Sequence, residues 1–243
     1  MRMMNKTLTI LAAGCLMSTA AFTQDPAITE DWSRKPVLVT PGCHAAPPSD
    51  AIVLFSRGKD LANWTGGDGQ AKWKTWCGRM MVNGTGDIMT REKFGSCQLH
   101  VEFRTPAKVK GNGQGRGNSG VYIQSNYELQ VLDSWENETY YNGQAGSIYK
   151  QSIPLVNASR KPGRWQAYDI IFHAPEFAPD GTVLKPAIIT AFHNGVLIQD
   201  HFELKGSTTY AGYPKYEAHG NLPLLLQDHG NPVSYRNIWI RKL

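Results

Sequence analysis

After Asp50 no stretch of this chain holds a helical apolar period for ten residues without interruption, which most limits what it can fold into. From Asp50 onward, short runs of alternating apolar and polar residues are separated by Gly, Asn, Asp and Pro. Runs at 51–56, 71–76, 79–83, 97–104, 119–124, 127–132, 166–173, 187–193, 196–203, 222–228 and 235–242 read as strands. So many short strands with turn signals between them argue for an all-β sandwich or barrel. The sharpest turn signal is Asn194-Gly195, between the runs 188–192 and 196–198. Asn-Gly accepts positive φ at both central positions, so a tight hairpin is expected there. Asp180-Gly181 joins two other segments in the same way.

The first 23 residues have the anatomy of an export signal, with Arg2 and Lys6 ahead of an apolar stretch from Leu8 to Phe22. Ser18-Thr19-Ala20 or Ala21 could supply the small residues a signal peptidase needs. Leu11-Ala12-Ala13-Gly14-Cys15 is a loose lipoprotein box, so the expectation is a periplasmic or secreted protein, alternatively one lipid-anchored through Cys15. Loss of Arg2 and Lys6 takes the formal charge from +5 to +3, and no Lys/Arg cluster marks a nucleic-acid face. No stretch suits a membrane span. Residues 24–50, with Pro36, Pro41, Pro47 and Pro48, read as an extended lead-in to a domain at 51–243. Cys43, Cys77 and Cys97 remain after cleavage. Cys77 and Cys97 fall in strand-like runs and could pair across neighbouring strands, leaving one thiol over. Their spacing suits neither zinc nor redox chemistry.

Residues 110–118 form a glycine-rich loop without the Lys-Ser/Thr ending of a phosphate loop, so a loop bordering a cleft is expected. Strand alternation puts Gln98, His100, Glu102 and Arg104 on one face, opposite Leu99, Val101 and Phe103. Glu128 and Gln130 share a face in the same way. Planar, directional groups recurring on central strands are what sugar hydroxyls require. Trp135 is the aromatic best placed to stack on a sugar ring, and most other tryptophans are expected in the core. A one-residue bulge after Gln130 would bring Asp133 round to Glu128, giving two carboxyl groups suited to acid/base work at a glycosidic bond. His229, on the face of Gln227, could carry protons; His193 is as readily structural. No serine-hydrolase elbow and no zincin helix occurs, and no segment has the spacing of a calcium loop, although oxygen ligands for a structural calcium are plentiful.

From Ala51 to Leu243 the chain resembles the 3-keto-disaccharide hydrolase family. The matching stretches are 54–64, 94–104, 117–122, 127–134 (Tyr-Glu-Leu-Gln-Val-Leu-Asp-Ser), 143–149, 163–170, 226–233 and 235–241. Ser56 and Arg57 depart from the usual Asn or Asp before the glycine. The resemblance implies a concanavalin-like jelly-roll sandwich of two curved antiparallel sheets, with a cleft on the concave side. It implies cleavage of glycosides oxidised at C3, by elimination to a 2-hydroxy-glucal, by its hydration, or by both; no cofactor is expected. The family is similar in fold to laminarinase-type glycosidases, whose strand reads E-x-D-x-x-E; here it reads E-x-Q-x-x-D. On this reading Glu128, Asp133 and Glu102 are the candidate acids and bases, and His229 a proton carrier. Arg104, Asn118, Gln130, Trp135, Gln144, Gln227 and Asn237 are candidate substrate contacts. A non-catalytic carbohydrate-binding module and a laminarinase-like hydrolase of unoxidised glucans are the alternatives. Linkage preference and oligomeric state are left open.

Overall fold

The structure, a computed structural model, describes residues 25–43 and 46–243. The export signal expected at 1–23 and the Cys15 anchor lie outside the described residues. Segment 25–38 holds one 3-10 turn, Pro26–Thr29, in which the Ala27 N–H donates to Asp25 Oδ1 at 3.0 Å. Val39–Leu243 is a separate compact unit, and every strand among the described residues lies in it.

These strands are β1 (Ile52–Phe55), β2 (Trp64–Thr65), β3 (Lys74–Trp76), β4 (Arg79–Met81), β5 (Ile88–Phe94), β6 (Cys97–Arg104), β7 (Ser119–Ile123) and β8 (Tyr127–Val131). They continue with β9 (Gln166–His173), β10 (Glu176–Phe177), β11 (Val183–Lys185), β12 (Ile188–His193), β13 (Val196–Glu203), β14 (Leu222–Leu226) and β15 (Ser234–Lys242). The larger sheet has the order β13-β12-β9-β6-β15-β4-β3, with β1 also pairing β15. The smaller has the order β2-β5-β14-β7-β8, and β10-β11 is a separate ribbon. Pairing is antiparallel throughout, in a jelly-roll sandwich.

Alternation decides which side chains fill the space between the sheets. Leu99, Val101 and Phe103 of β6 meet Val121 and Ile123 of β7 and Tyr127, Leu129 and Val131 of β8 in one buried cluster. Fully burying each such side chain contributes roughly 1.5–3 kcal/mol. Two core tyrosines of the large sheet also hold the small one. Tyr168 Oη donates to the Gln130 carbonyl at 2.7 Å, and Tyr235 Oη donates to Ser119 Oγ at 2.7 Å. Ser119 in turn donates to the Gln227 carbonyl at 2.6 Å. The outward residues of β7 and β8 therefore stand on a backbone pinned from beneath.

The expected hairpin is present: Asn194 and Gly195 have φ of 54° and 82°, and His193 pairs Val196. The expected bulge after Gln130 is absent. β8 pairs β7 in unbroken register from Tyr127 to Val131, and Asp133 lies beyond the strand. A bulge occurs instead in β15, between Arg236 and Trp239, where Asn237 takes φ 45°. Among the described residues Cys43, Cys77 and Cys97 are unpaired. Cys77 sits in the β3–β4 turn with φ 48°, and Cys97 is in the core with its thiol pushed up to about 12 by burial. Strand β5, between β2 and β14, was not expected from the sequence.

Candidate active site

Glu128 and Gln130 of β8 and Tyr122 of β7 project from the face of the small sheet turned away from the core. Loops rise around them. The glycine-rich segment brings Gln114 and Asn118, the segment before β9 brings Tyr140 and Tyr149, and the β14–β15 connection brings Gln227 and His229. The cleft so formed has a volume of about 450 Å³, within the range of small-molecule sites. β8 is an edge strand, yet its polar backbone is covered. The Glu128 N–H donates to Thr208 Oγ1 at 3.0 Å, the Gln130 N–H to the Ser147 carbonyl at 3.0 Å, and the Gly146 N–H to the Gln130 carbonyl at 2.9 Å. An edge closed this way gives Glu128 and Gln130 fixed positions.

Glu128 is buried, and among the described residues no cation pairs with it. Its Oε2 accepts from Tyr122 Oη at 2.7 Å, and Gln227 Nε2 reaches that hydroxyl at 3.4 Å. Burial pushes the Glu128 carboxyl up to about 7, against the opposing pull of the Tyr122 hydrogen bond. Room for the carboxyl comes from Gly120, opposite Gln130 in the register. A Cβ at position 120 would lie 2.6 Å from Glu128 Oε1 and 2.7 Å from the Tyr122 ring. Across the cleft, the Tyr140 and Tyr149 hydroxyls are 2.6 Å apart. Lys150 Nζ stands 5.6 and 5.7 Å from those two rings and 4.1 Å from that of Tyr210.

Of the residues expected from the sequence, Glu128, Gln130, Asn118, Gln227 and His229 come together in this cleft. Others do not. Asp133 is held by Arg116, whose Nε donates to Oδ2 at 2.7 Å while Nη2 binds the Trp135 carbonyl at 2.9 Å. It faces a neighbouring cavity beneath the 106–117 loop. Trp135 lies outside the cleft, 5.5 Å from Lys161 Nζ. Gln144 ends the 3-10 turn Tyr141–Gly143, where its carbonyl accepts from Ser147 Oγ at 2.7 Å.

Glu102, Arg104 and Asn237 are on the outer face of the large sheet. Glu102 accepts from Arg236 Nε at 2.5 Å and Asn237 Nδ2 at 2.8 Å, with His100 Nε2 at 3.8 Å. Burial alone would raise the Glu102 carboxyl, but His100, Asn237 and Arg236 hold it down to about 2. His100 is raised to about 9, because Asp169, 2.6 Å from Nδ1, and Glu102 together outweigh its burial. Arg104 and Arg236 lie 4.9 and 4.2 Å from the Trp165 ring. His193 is structural: it is buried, 2.9 Å from Gln166 Oε1, and burial lowers it to about 3.

Sequence reasoning missed Tyr122, Gln114, Tyr140 and Tyr149. Tyr122 was legible, because alternation along 119–123 puts it on the face of Gly120, opposite Glu128. The other three arrive on loops, where no periodicity reports direction. Among the described residues there is no group of three or more His, Cys, Asp or Glu able to hold a metal, and no helix long and apolar enough to cross a membrane.

A jelly roll with a polar, tyrosine-walled cleft on one sheet is the frame of a carbohydrate-active protein, and the comparisons agree. The chain belongs to the family of the 3-keto-alpha-glucoside-1,2-lyase-like domain, which matches residues 50–241. It is similar to a protein of Parabacteroides distasonis ATCC 8503 whose glycosyl hydrolase activity is assigned rather than demonstrated. The two are 47% identical with a TM-score of 0.86, over 90% of this chain and 97% of that one. A second structure from that organism, with the same kind of assignment, is 19% identical with a TM-score of 0.59, over 80% and 94% of the two chains, and shares the fold. No curated protein matches the sequence.

Proposed function

We propose that the cleft cleaves 3-keto-glycosides by base-initiated elimination, with Glu128 as the base. One observation carries this reading: a single buried carboxyl, poised near neutrality, on a cleft otherwise lined by amides, hydroxyls and a histidine. A carbonyl at C3 makes the C2 proton acidic, since the electron pair left behind becomes an enolate. Glu128 takes that proton, the enolate collapses to an enone as the C1–O bond breaks, and the departing oxygen receives a proton. We assign that last proton to His229. Tyr140 and Tyr149 share one hydrogen bond, so one phenol proton is free to meet the enolate oxygen, with the Lys150 ammonium behind. Addition of water to the enone runs the same steps in reverse and would give net hydrolysis.

Direct hydrolysis of an unoxidised glycoside normally takes two carboxyl groups flanking the bond, roughly 5–9.5 Å apart. Among the described residues Glu128 is the only carboxyl lining the cleft, and Asp133 is committed to Arg116. That favours elimination over displacement. The test offers purified protein a glucoside and its 3-keto derivative while following enone absorbance and sugar release. Turnover of the keto substrate, lost in Glu128→Gln, is expected. Turnover of the unoxidised glycoside alone would overturn the proposal.

A further inference from the structure

The Gln130 side chain has one end fully used and the other unused. Its Nε2 donates to Gln114 Oε1 at 3.0 Å and to the Gly143 carbonyl at 3.4 Å. The orientation of Gln114 is fixed as well, because its Nε2 donates to that same carbonyl at 2.8 Å and to Thr139 Oγ1 at 3.0 Å. A backbone carbonyl can only accept, so both amides are set by Gly143 and neither can flip without placing oxygen against oxygen. What remains is Gln130 Oε1, in a residue 1% exposed, with no hydrogen-bond partner. A buried acceptor left unpaired is unfavourable, and native structures rarely keep one without a reason. Gln130 lines the cleft two residues along the same strand face from Glu128.

We propose that Gln130 Oε1 reads one free hydroxyl of the bound sugar, accepting its proton and so fixing the ring over Glu128. A ketone or an ether at that ring position would bring only another acceptor, and the cleft would reject it. The sequence left Gln130 as a candidate substrate contact with no group assigned to it; the fixed amide excludes the keto group. This specificity rests on the sugar-binding part of the function proposed above and does not need the elimination step.

The experiment uses 3-keto-glucosides deoxygenated or O-methylated at one ring hydroxyl at a time, with the wild type and Gln130→Met. At one position the wild type should lose on the order of 100-fold in kcat/KM, and that loss should shrink below about 5-fold in Gln130→Met, whose side chain offers no comparable acceptor. Equal losses in both proteins at every position, or no loss at any position in the wild type, would overturn the inference. Calorimetric binding of the same analogues to Glu128→Gln separates the two proposals. If no keto substrate turns over but binding still depends on one hydroxyl through Gln130, the contact stands and the elimination falls. If no sugar binds, both fall.

Discussion

Two glutamates on outward strand faces, Glu128 on the small sheet and Glu102 on the large one, have opposite fates. Both follow the same alternation and both are largely withdrawn from water. Glu102 is met by a guanidinium, an amide and an imidazole, which hold it down to about 2. Glu128 is met by one phenol, and burial raises it to about 7. A carboxyl with a full set of cationic and amide donors is structural glue; one buried without a cation is poised to take a proton. The difference was made by neighbours that arrive from elsewhere in the chain. The β15 bulge puts both Arg236 and Asn237 beside Glu102, whereas Gly120 clears space for Glu128 and no cation enters.

The hardest test of that contrast is a pair of substitutions. Glu128→Gln should lower kcat on a 3-keto-glucoside by about 10²–10⁴-fold, the usual contribution of a general base. Glu102→Gln should leave kcat within about a factor of two, because transition-state stabilisation does not reach the opposite face of the sandwich. Initial rates of enone formation measure both, and equal losses would erase the distinction.

Stability against pH should split the two glutamates by sign. The folded pKa of Glu128 is raised, so its contribution is fully present below about 4.5 and is lost as pH rises through about 7. A shift of that size corresponds to roughly 3 kcal/mol. Relative to the wild type, Glu128→Gln should therefore gain stability between pH 5 and pH 8.5. Glu102 is depressed, so its contribution is present above about 4.5 and fades as pH falls towards 2. Glu102→Gln should be destabilised at pH 6, with the deficit closing in acid. Denaturant melts at three pH values decide it, and two curves of the same sign would contradict the assignment.

Much of the scaffold was legible in the sequence, and the reasons for the failures are physical. β6 falls at the expected boundaries because Cys97, Leu99, Val101 and Phe103 carry an apolar period of two for its full length. β5 escaped because Arg91, Glu92 and Lys93 stand exposed in succession, where β14 slips register between Pro223 and Leu225. Alternation says which residues share a face, but not on which side of a sandwich that face lies. Glu102, Arg104 and Asn237 were therefore grouped with Glu128 although two sheets intervene. The expected bulge failed because β8 keeps its register with β7, while loop 143–149 satisfies its other edge. Asn118, Gln227 and His229 were found as candidates, whereas Tyr140 and Tyr149 sit on a segment with no period to read.

Gly120 sharpens the contrast from the small-sheet side. A methyl group there would press on the Glu128 carboxyl and the Tyr122 ring at less than 3 Å, so one or both must move. Displacing a base by about 1 Å is worth on the order of 100-fold in rate. Gly120→Ala should lower kcat to that extent while the protein stays folded, because the strain falls on the outward face and leaves the core cluster alone. Unchanged kcat would show that the carboxyl does not act from the position seen here.

Asp133 gives the smallest effect and separates a catalytic carboxyl from a positioning one on adjoining chain. Its partner Arg116 ties three things together: the Asp133 carboxylate, the Trp135 carbonyl and the Glu136 carbonyl. Asp133→Asn keeps the shape but removes the charge, leaving the Arg116 guanidinium half-buried beside two carbonyls. The loss should be about 2 kcal/mol, between the value of an exposed pair and that of a fully buried one. Because Arg116 lies two residues from Asn118, KM should rise with kcat nearly constant as the glycine-rich wall loosens. The pH at which kcat is half-maximal should stay near 7, since Glu128 sets it. A shift of that midpoint in Asp133→Asn would mean that Asp133 acts on the reaction directly, and the single-base reading of the cleft would have to give way to a carboxyl pair.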